Sequence, residues 1–338
     1  MMAIDWSTLG FAYMDTNCHI RYTWKNGRWD AGELVSSPYF NIHIAATALH
    51  YGQTAFEGLK VFRARDGRMR VFRADMNAAR INQSARHIMM AEIPPALFQE
   101  AVDRVVKANQ EFVPPYGSGA TLYVRPLLFG SGPQIGVNPA QEYTFIILVT
   151  PVGAYYKGGL SPVRAIVYDD FDRAAPHGTG HIKIGGNYAA SLLPHHRAHE
   201  AGFPVELYLD AAEHKYIEEF GTSNFLGISK DGKYITTKSP SILPSVTNDG
   251  LCQLAAHLGL PVERRQVAFS ELSGFAEIAA CGTAVVITPV NEIVRGQQVI
   301  KVGPAEGCGP VLQKLYNHYT AIQWGEQPDV FGWLREIK

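Results

Sequence analysis

Apolar residues fall along this chain in two spacings, and each predicts its own kind of element. Leu59-Lys60-Val61-Phe62 and Met69-Arg70-Val71-Phe72 bracket the turn dipeptide Asp66-Gly67, which predicts a β-hairpin. Phe98, Ala101, Val102, Val105 and Phe112 recur at the three-and-four spacing of a helix with one buried face. Ahead of them, Asp75 is placed to cap a helix through Met76-Asn77-Ala78-Ala79-Arg80. Thr121 to Phe129 and Tyr143 to Val149 read as strands. The run Phe145-Ile146-Ile147-Leu148-Val149 is the longest uninterrupted aliphatic and aromatic stretch. It is far short of the roughly 20 residues that cross a bilayer, so it predicts a buried strand.

From Pro151 to Pro162, with Gly153, Gly158 and Gly159, the chain reads as a linker. Beyond it a strand near Val163 to Tyr168 leads into a Gly/Pro/His-rich segment and a helix from about Tyr188 to Ala201. Four short β runs follow, Val205 to Leu209, Tyr216 to Glu219, Phe225 to Ile228 and Tyr234 to Thr237, the last two joined by Asp231-Gly232. That spacing fits an antiparallel meander. Helices are expected at about Thr247 to Leu258, near Ser270 to Phe275 and at about Val311 to Ile322, with a strand at Ala284 to Thr288. The fold class is thus α+β or mixed α/β, with a small N-terminal α/β domain over 1–150, a linker over 151–162 and a larger C-terminal domain over 163–338.

Composition narrows the picture by exclusion. The 338 residues are 46% hydrophobic and 18% charged, and 30 Lys+Arg against 31 Asp+Glu leave a net charge of -1. No global field draws such a chain to nucleic acid or to an acidic membrane surface. The start Met1-Met2-Ala3-Ile4-Asp5-Trp6 has neither a secretory nor an organelle-targeting pattern, which makes the cytoplasm the expected location. Cys18, Cys252, Cys281 and Cys308 are scattered, without Cys-x-x-Cys or zinc spacing, so reduced thiols and no metal centre are expected.

The candidate chemistry centres on one lysine. In His181-Ile182-Lys183-Ile184-Gly185-Gly186-Asn187-Tyr188, an extended backbone turns both isoleucines to one side and the amine to the other. A dry setting favours the neutral amine that attacks a carbonyl to make a Schiff base. Glu218 and Glu219 precede a Gly-Thr-Ser-Asn turn. In a strand they point to opposite faces, so at most one is expected to enter a buried site while the other meets solvent. Such a carboxylate beside a pyridine nitrogen would keep it protonated. Pro244-Ser245-Val246-Thr247-Asn248 gathers hydroxyls and N–H groups at a helix start, where phosphate binds readily. Cys281-Gly282-Thr283-Ala284 offers a second pair of N–H groups, and Arg80, expected in the first turn of its helix, could add a charge-assisted bond.

Together these segments resemble the branched-chain amino acid aminotransferases, pyridoxal phosphate enzymes of fold type IV. The resemblance runs from about Tyr39 to Trp333. It passes through His50-Tyr51-Gly52-Gln53-Thr54-Ala55-Phe56-Glu57-Gly58-Leu59-Lys60, Leu122-Tyr123-Val124-Arg125-Pro126, Lys183-Ile184-Gly185-Gly186-Asn187-Tyr188, Glu219-Phe220-Gly221-Thr222-Ser223-Asn224 and Gly282-Thr283-Ala284.

The resemblance implies a fold type IV architecture, its larger C-terminal domain binding the cofactor on an antiparallel-rich, barrel-like sheet with helices, and pyridoxal 5′-phosphate between the lobes. It implies reversible ping-pong amino transfer between L-leucine, L-isoleucine or L-valine and 2-oxoglutarate, giving branched 2-oxo acids and L-glutamate, in a homodimer whose small-domain loop closes the partner's site. It makes Lys183 the Schiff-base lysine and proton shuttle, sets Glu219 against the pyridine nitrogen and Tyr188 against the phenolic oxygen, and gives the phosphate to Arg80, Val246, Thr247 and Thr283. The backbone of Thr283 and Ala284 and the Tyr123 hydroxyl would take the α-carboxylate. Tyr51 and Phe56 would wall the side-chain pocket, and Arg125 would meet the distal carboxylate of glutamate.

D-amino acid aminotransferases and aminodeoxychorismate lyases share the Glu-x-Gly-Thr-x-Asn turn but lack the Phe56-Glu57-Gly58 region and the Tyr123-x-Arg125 pair, and a silent ligand-sensing homologue would not need all these residues. The chain also departs from the family. Ser245 and Asn248 replace a glycine and a helix arginine, and Val285 and Thr288 stand where animal members carry Cys-x-x-Cys, so no thiol switch is expected there.

Overall fold

The alternation in the first half of the chain folds into one antiparallel sheet. A computed structural model describes residues 4–153 and 160–338, so Met1-Met2-Ala3 and half of the expected linker, including Gly158 and Gly159, lie outside the described residues. The first sheet contains β1 (His19–Lys25), β2 (Arg28–Trp29), β3 (Glu33–Val35), β4 (Thr54–Phe56), β5 (Leu59–Arg63), β6 (Met69–Phe72), β7 (Thr121–Gly130) and β8 (Tyr143–Val152). Its central order is β6-β5-β7-β8-β1-β2, with β3 on β1 and β4 on β7. The expected hairpin is β5–β6, register Val61↔Val71, and Gly67 takes the left-handed conformation its turn requires (φ 81°).

One face of this sheet is covered by α2 (Ala74–His87) and α3 (Pro95–Ala108), which follow the five-residue α1 (Thr47–Tyr51). Ala78, Ile81 and Ala85 of α2 and Phe98, Val102 and Val105 of α3 form one buried core with Val61, Val124, Phe145 and Ile147. Full burial of a side chain the size of Phe98 or Ile81 contributes about 1.5–3 kcal/mol. The cap of α2 differs from expectation. Arg73, at φ 52°, is the N-cap, and Asp75 lies inside the first turn, where its charge favours the helix dipole instead. That start puts Arg80 in the second turn rather than the first.

The second sheet is built from β9 (Val163–Val167), β10 (Val205–Leu209), β11 (Ile217–Phe220), β12 (Ser223–Ser229), β13 (Tyr234–Thr237), β14 (Val262–Arg265), β15 (Phe275–Gly282), β16 (Val286–Arg295) and β17 (Gln298–Lys301). Pairings run β11-β10-β9-β16-β15-β12 and return from β12 to β11, so six strands close a ring. The meander β10 to β13 is antiparallel as expected, whereas β9 runs parallel to both its neighbours and β13 runs parallel to β14. Leu207, Phe220, Phe225, Phe275, Ile278 and Ile293 fill the core.

Helices α4 (Gly185–Ala190), α5 (Leu192–Glu200), α6 (Val246–His257) and α7 (Pro310–Gln323) complete the second half. The single helix expected over 188–201 is thus two, beginning earlier and broken at Ser191. Pro194 is tolerated because it falls in the first turn of α5. The helix expected near 270–275 is a 3-10 turn over Phe269–Gly274. The strand expected from Ala284 starts at Val286, because residues 283–285 form the turn that joins β15 to β16.

Finally β18 (Leu334–Glu336) pairs with β6 at the edge of the first sheet. The chain divides into two compact units, and the first comprises the N-terminal part together with Ile182–Gly185 and Ala321–Lys338. An uninterrupted division at 151–162 misses these two returns. Their cause is packing: Ile182, Ile184 and Ile337 belong to the first core, and the Trp333 ring meets Phe72 edge-on at 5.6 Å.

Candidate active site

In the first unit Lys183 is held by its backbone. Its N–H donates to the Ser84 hydroxyl at 2.9 Å and its carbonyl accepts from the Phe56 N–H at 3.1 Å, while Ile184 bridges Ala55. Ile182 and Ile184 are both buried, as the extended reading requires. The amine then lies 4.6 Å from the centre of the Phe56 ring.

Arg125 shares that ring, its guanidinium carbon 5.0 Å from the Phe56 centre and 5.2 Å from that of Tyr123. Tyr123 and Arg125 are two apart on β7 and so project from one face. Arg125 Nη2 donates to the Tyr123 hydroxyl at 3.1 Å, and its buried Nε has no hydrogen-bond partner. The Tyr123 hydroxyl lies over the Cα of Gly58, where any side chain would collide with it. Lys183, Phe56, Tyr123 and Arg125 are thus brought together. Tyr51 has other surroundings: it sits on α1, its hydroxyl donating to the Ile135 carbonyl and its ring 6.2 Å from that of His50.

Arg80 donates from Nε and Nη2 to the two carboxylate oxygens of Glu57, each at 2.7 Å, and Asn77 Nδ2 donates to Glu57 Oε2 at the same distance. Glu57 was legible in its motif but carried no assigned role. It takes two of the five N–H donors of the guanidinium and fixes its plane.

In the second unit Tyr188 and Glu219 line one cleft, with Arg173, Asn187, Thr222 and Leu243. Asn187 anchors the start of this region: its amide donates to the Thr179 carbonyl at 2.8 Å and accepts from the Thr179 hydroxyl at 2.7 Å. Glu219 forms an ion pair with Arg173 and accepts the Leu243 N–H at 2.9 Å. The expectation that one of Glu218 and Glu219 meets solvent is wrong, since they are 2% and 4% exposed. The segment 239–243 folds over the strand end and supplies partners to both: Ser239 and Ser241 hydroxyls to Glu218, the Leu243 N–H to Glu219. Arg173 was not found from sequence, because it lies in the irregular segment ahead of the lysine, where no periodic signal marks it.

Val246 and Thr247 open α6. The first N–H groups of any helix have no carbonyl four residues back to bond. Ser245 caps this helix by accepting the Asn248 N–H at 3.1 Å, and Asn248 bonds the Tyr234 and Thr236 hydroxyls at 2.7 and 2.8 Å. The two departures from the family pattern therefore have their own partners and leave the helix start intact. Thr283 and Ala284 lie in the β15–β16 turn, which Val286 closes at φ 65°, a costly conformation for a β-branched residue. Cys281, just before that turn, is buried, and burial pushes its thiol well above the usual range. Among the described residues no helix is long and apolar enough to cross a membrane, and no three His, Cys, Asp or Glu converge as a metal site.

The amino-transferase class IV model matches residues 54–293, and the chain belongs to that family. It is 46% identical over 344 residues to a branched-chain-amino-acid aminotransferase of Haemophilus influenzae, covering 100% of both chains. It is also similar to the crystal structure of the Escherichia coli branched-chain amino acid aminotransferase, with a TM-score of 0.79, 30% identity and coverage of 94% of this chain and 99% of that one. The branched-chain aminotransferase of the thermophilic archaeon Thermoproteus uzoniensis, solved with norvaline, is similar at a TM-score of 0.77 and 25% identity, with coverage of 94% and 100%. Pyridoxal 5′-phosphate is the cofactor of this family. Residues of the second unit fit it: the buried Glu219 and Tyr188 line one cleft, and the capped start of α6 has N–H groups free of intrahelical bonds for a phosphate.

Proposed function

We propose that this class IV aminotransferase is a branched-chain L-amino acid:2-oxoglutarate aminotransferase, moving amino groups reversibly between L-leucine, L-isoleucine or L-valine and 2-oxoglutarate in a ping-pong cycle. The observation that carries this reading is the Phe56 ring, flanked by the Lys183 amine at 4.6 Å and the Arg125 guanidinium at 5.0 Å. One apolar aromatic face suits a branched side chain, and a cation resting on it can turn to meet the distal carboxylate of glutamate.

Bound pyridoxal 5′-phosphate supplies an aldehyde that takes up amino groups and a ring that accepts the electron pair left when the Cα proton departs. Lys183 Nζ anchors the aldehyde at rest and moves the substrate's Cα proton. Glu219 holds a proton on the pyridine nitrogen, and Tyr188 orients the phenolic oxygen. Arg80, the N–H groups of Val246 and Thr247, and Thr283 hold the phosphate. The Thr283 and Ala284 backbone and the Tyr123 hydroxyl bind the α-carboxylate, Phe56 and Tyr51 wall the side-chain pocket, and Arg125 selects glutamate.

The enzyme acts in the cytoplasm as a homodimer. The homodimer is supported by the family resemblance and by the exposed apolar residues of the first unit, among them Tyr13, Tyr39, Ile44 and Val137. Sedimentation of the purified protein at twice the mass of one chain is the expected result.

The first experiment adds L-leucine, then D-alanine, to protein reconstituted with cofactor and follows its visible absorbance beside a Lys183→Ala variant. Wild type responds to L-leucine and the variant does not. A response to D-alanine alone refutes the assignment in favour of a D-amino acid aminotransferase.

A further inference from the structure

Two adjacent carboxylates and one guanidinium are buried together in the second unit, and their partners divide unevenly. Glu219 has the Arg173 ion pair and a backbone N–H. Glu218 has only hydroxyls, all on one oxygen: Ser239 Oγ at 2.9 Å and Ser241 Oγ at 2.5 Å donate to Oε1, while the buried Oε2 has no hydrogen-bond partner. An ionised carboxylate with a bare buried oxygen is far costlier than a neutral acid in the same place.

The hydroxyls accommodate the neutral form. The Ser239 and Ser241 oxygens are 3.0 Å apart, and each can donate or accept, so a protonated Glu218 closes a three-oxygen ring with them.

Ser241 also connects the two carboxyls. Its hydroxyl is bound to Glu218, and its carbonyl accepts Arg173 Nη2 at 3.0 Å, beside the Gly180 carbonyl at 2.7 Å. The same guanidinium meets Glu219. We propose that Glu218 is a positioning residue carried as a neutral acid: through Ser241 it fixes the carbonyl that aims Arg173 at Glu219, and its lack of charge leaves that guanidinium to Glu219 alone. The consequence for the pyridine nitrogen rests on the role of Glu219 given above.

The surroundings agree. Burial raises the Glu218 carboxyl above its ordinary value of 4.5, against the lowering effect of Ser241, Ser239 and Arg173, and Asp210 just past the end of β10 adds to the rise. Tyr208 on β10, whose hydroxyl also lacks a partner, is pushed up by burial and stays neutral.

The test compares full-length wild type with Glu218→Gln, a neutral mimic, and Glu218→Leu, which cannot bond Ser241. Infrared difference spectra at neutral pH should show a protonated carboxyl band in wild type that Glu218→Gln lacks. In urea, the midpoint of wild type relative to Glu218→Gln should fall as pH rises from about 4.5. The unfolded carboxyl releases its proton there while the folded one keeps it, so stability is lost with rising pH. With cofactor bound, the pH midpoint of its visible absorbance should be unchanged in Glu218→Gln and shifted by about one unit in Glu218→Leu.

A missing infrared band, a pH-independent or rising relative midpoint, or an unshifted Glu218→Leu profile each overturns the proposal. If the protein takes up no cofactor, the function proposed above fails, while the infrared and urea measurements still decide Glu218.

Discussion

Arg80 and Glu57 meet through two parallel hydrogen bonds of 2.7 Å, Nε to Oε1 and Nη2 to Oε2, with the carboxylate fully buried. The pair joins α2 to the stretch between β4 and β5, so the guanidinium proposed to receive phosphate is oriented before any ligand arrives. Removing one partner of a buried pair strands the other charge. Glu57→Ala should therefore cost about 3–5 kcal/mol in urea unfolding and raise the cofactor dissociation constant. A variant that is less stable yet binds cofactor as tightly as wild type would show that the pair is structural only.

Arg125 is the residue on which dual specificity is proposed to depend. Arg125→Met keeps bulk against Phe56 but loses the charge. Its kcat/KM for glutamate should fall about 10- to 100-fold, the worth of a charged hydrogen bond, while that for L-leucine changes only slightly. Equal losses for both substrates would remove Arg125 from glutamate recognition.

Gly58 lies under the Tyr123 hydroxyl, where a methyl group would intrude. Gly58→Ala should cost about 1–3 kcal/mol and weaken carboxylate binding by displacing the hydroxyl. In a Tyr123→Phe background the same substitution should cost less, because the atom it strikes is gone. A double-mutant cycle with no coupling would refute the contact.

Lys60, opposite Tyr123 in the β5–β7 register, has its amine pulled by burial from 10.5 down to about 8. Between about 8 and 10.5 the unfolded chain binds more protons at this site than the folded one, so stability should rise with pH across that window. Lys60→Met should flatten that rise and raise the urea midpoint at neutral pH. An unchanged pH profile would mean the amine titrates normally.

Where local chemistry decides a feature, the chain displays it. Asp66-Gly67 announced the β5–β6 hairpin, the helical spacing from Phe98 to Val105 announced α3, and the Ile182-Lys183-Ile184 triplet announced a lysine with buried flanks. The residues proposed to meet substrate and cofactor stand in separate strings in chain order. What stayed hidden depends on partners distant in sequence. Pleat alternation correctly separates Glu218 from Glu219 but cannot show that 239–243 covers the strand end. Arg173 sits 46 residues before Glu219 in a segment without pattern. The return of 334–336 to β6 has no local signal, since a three-residue edge strand is too short to show a period.

That return orders events during synthesis. The first unit takes its outer strand from residues 334–336 and part of its core from Ile182, Ile184 and Ile337, whereas the six-stranded ring draws only on residues 163–295. On the ribosome, the ring can close while the sheet that was translated first still waits for its edge. The half made earliest is therefore finished last, and a nascent chain halted before residue 334 exposes β6 as an open strand edge, the kind of surface on which chains aggregate.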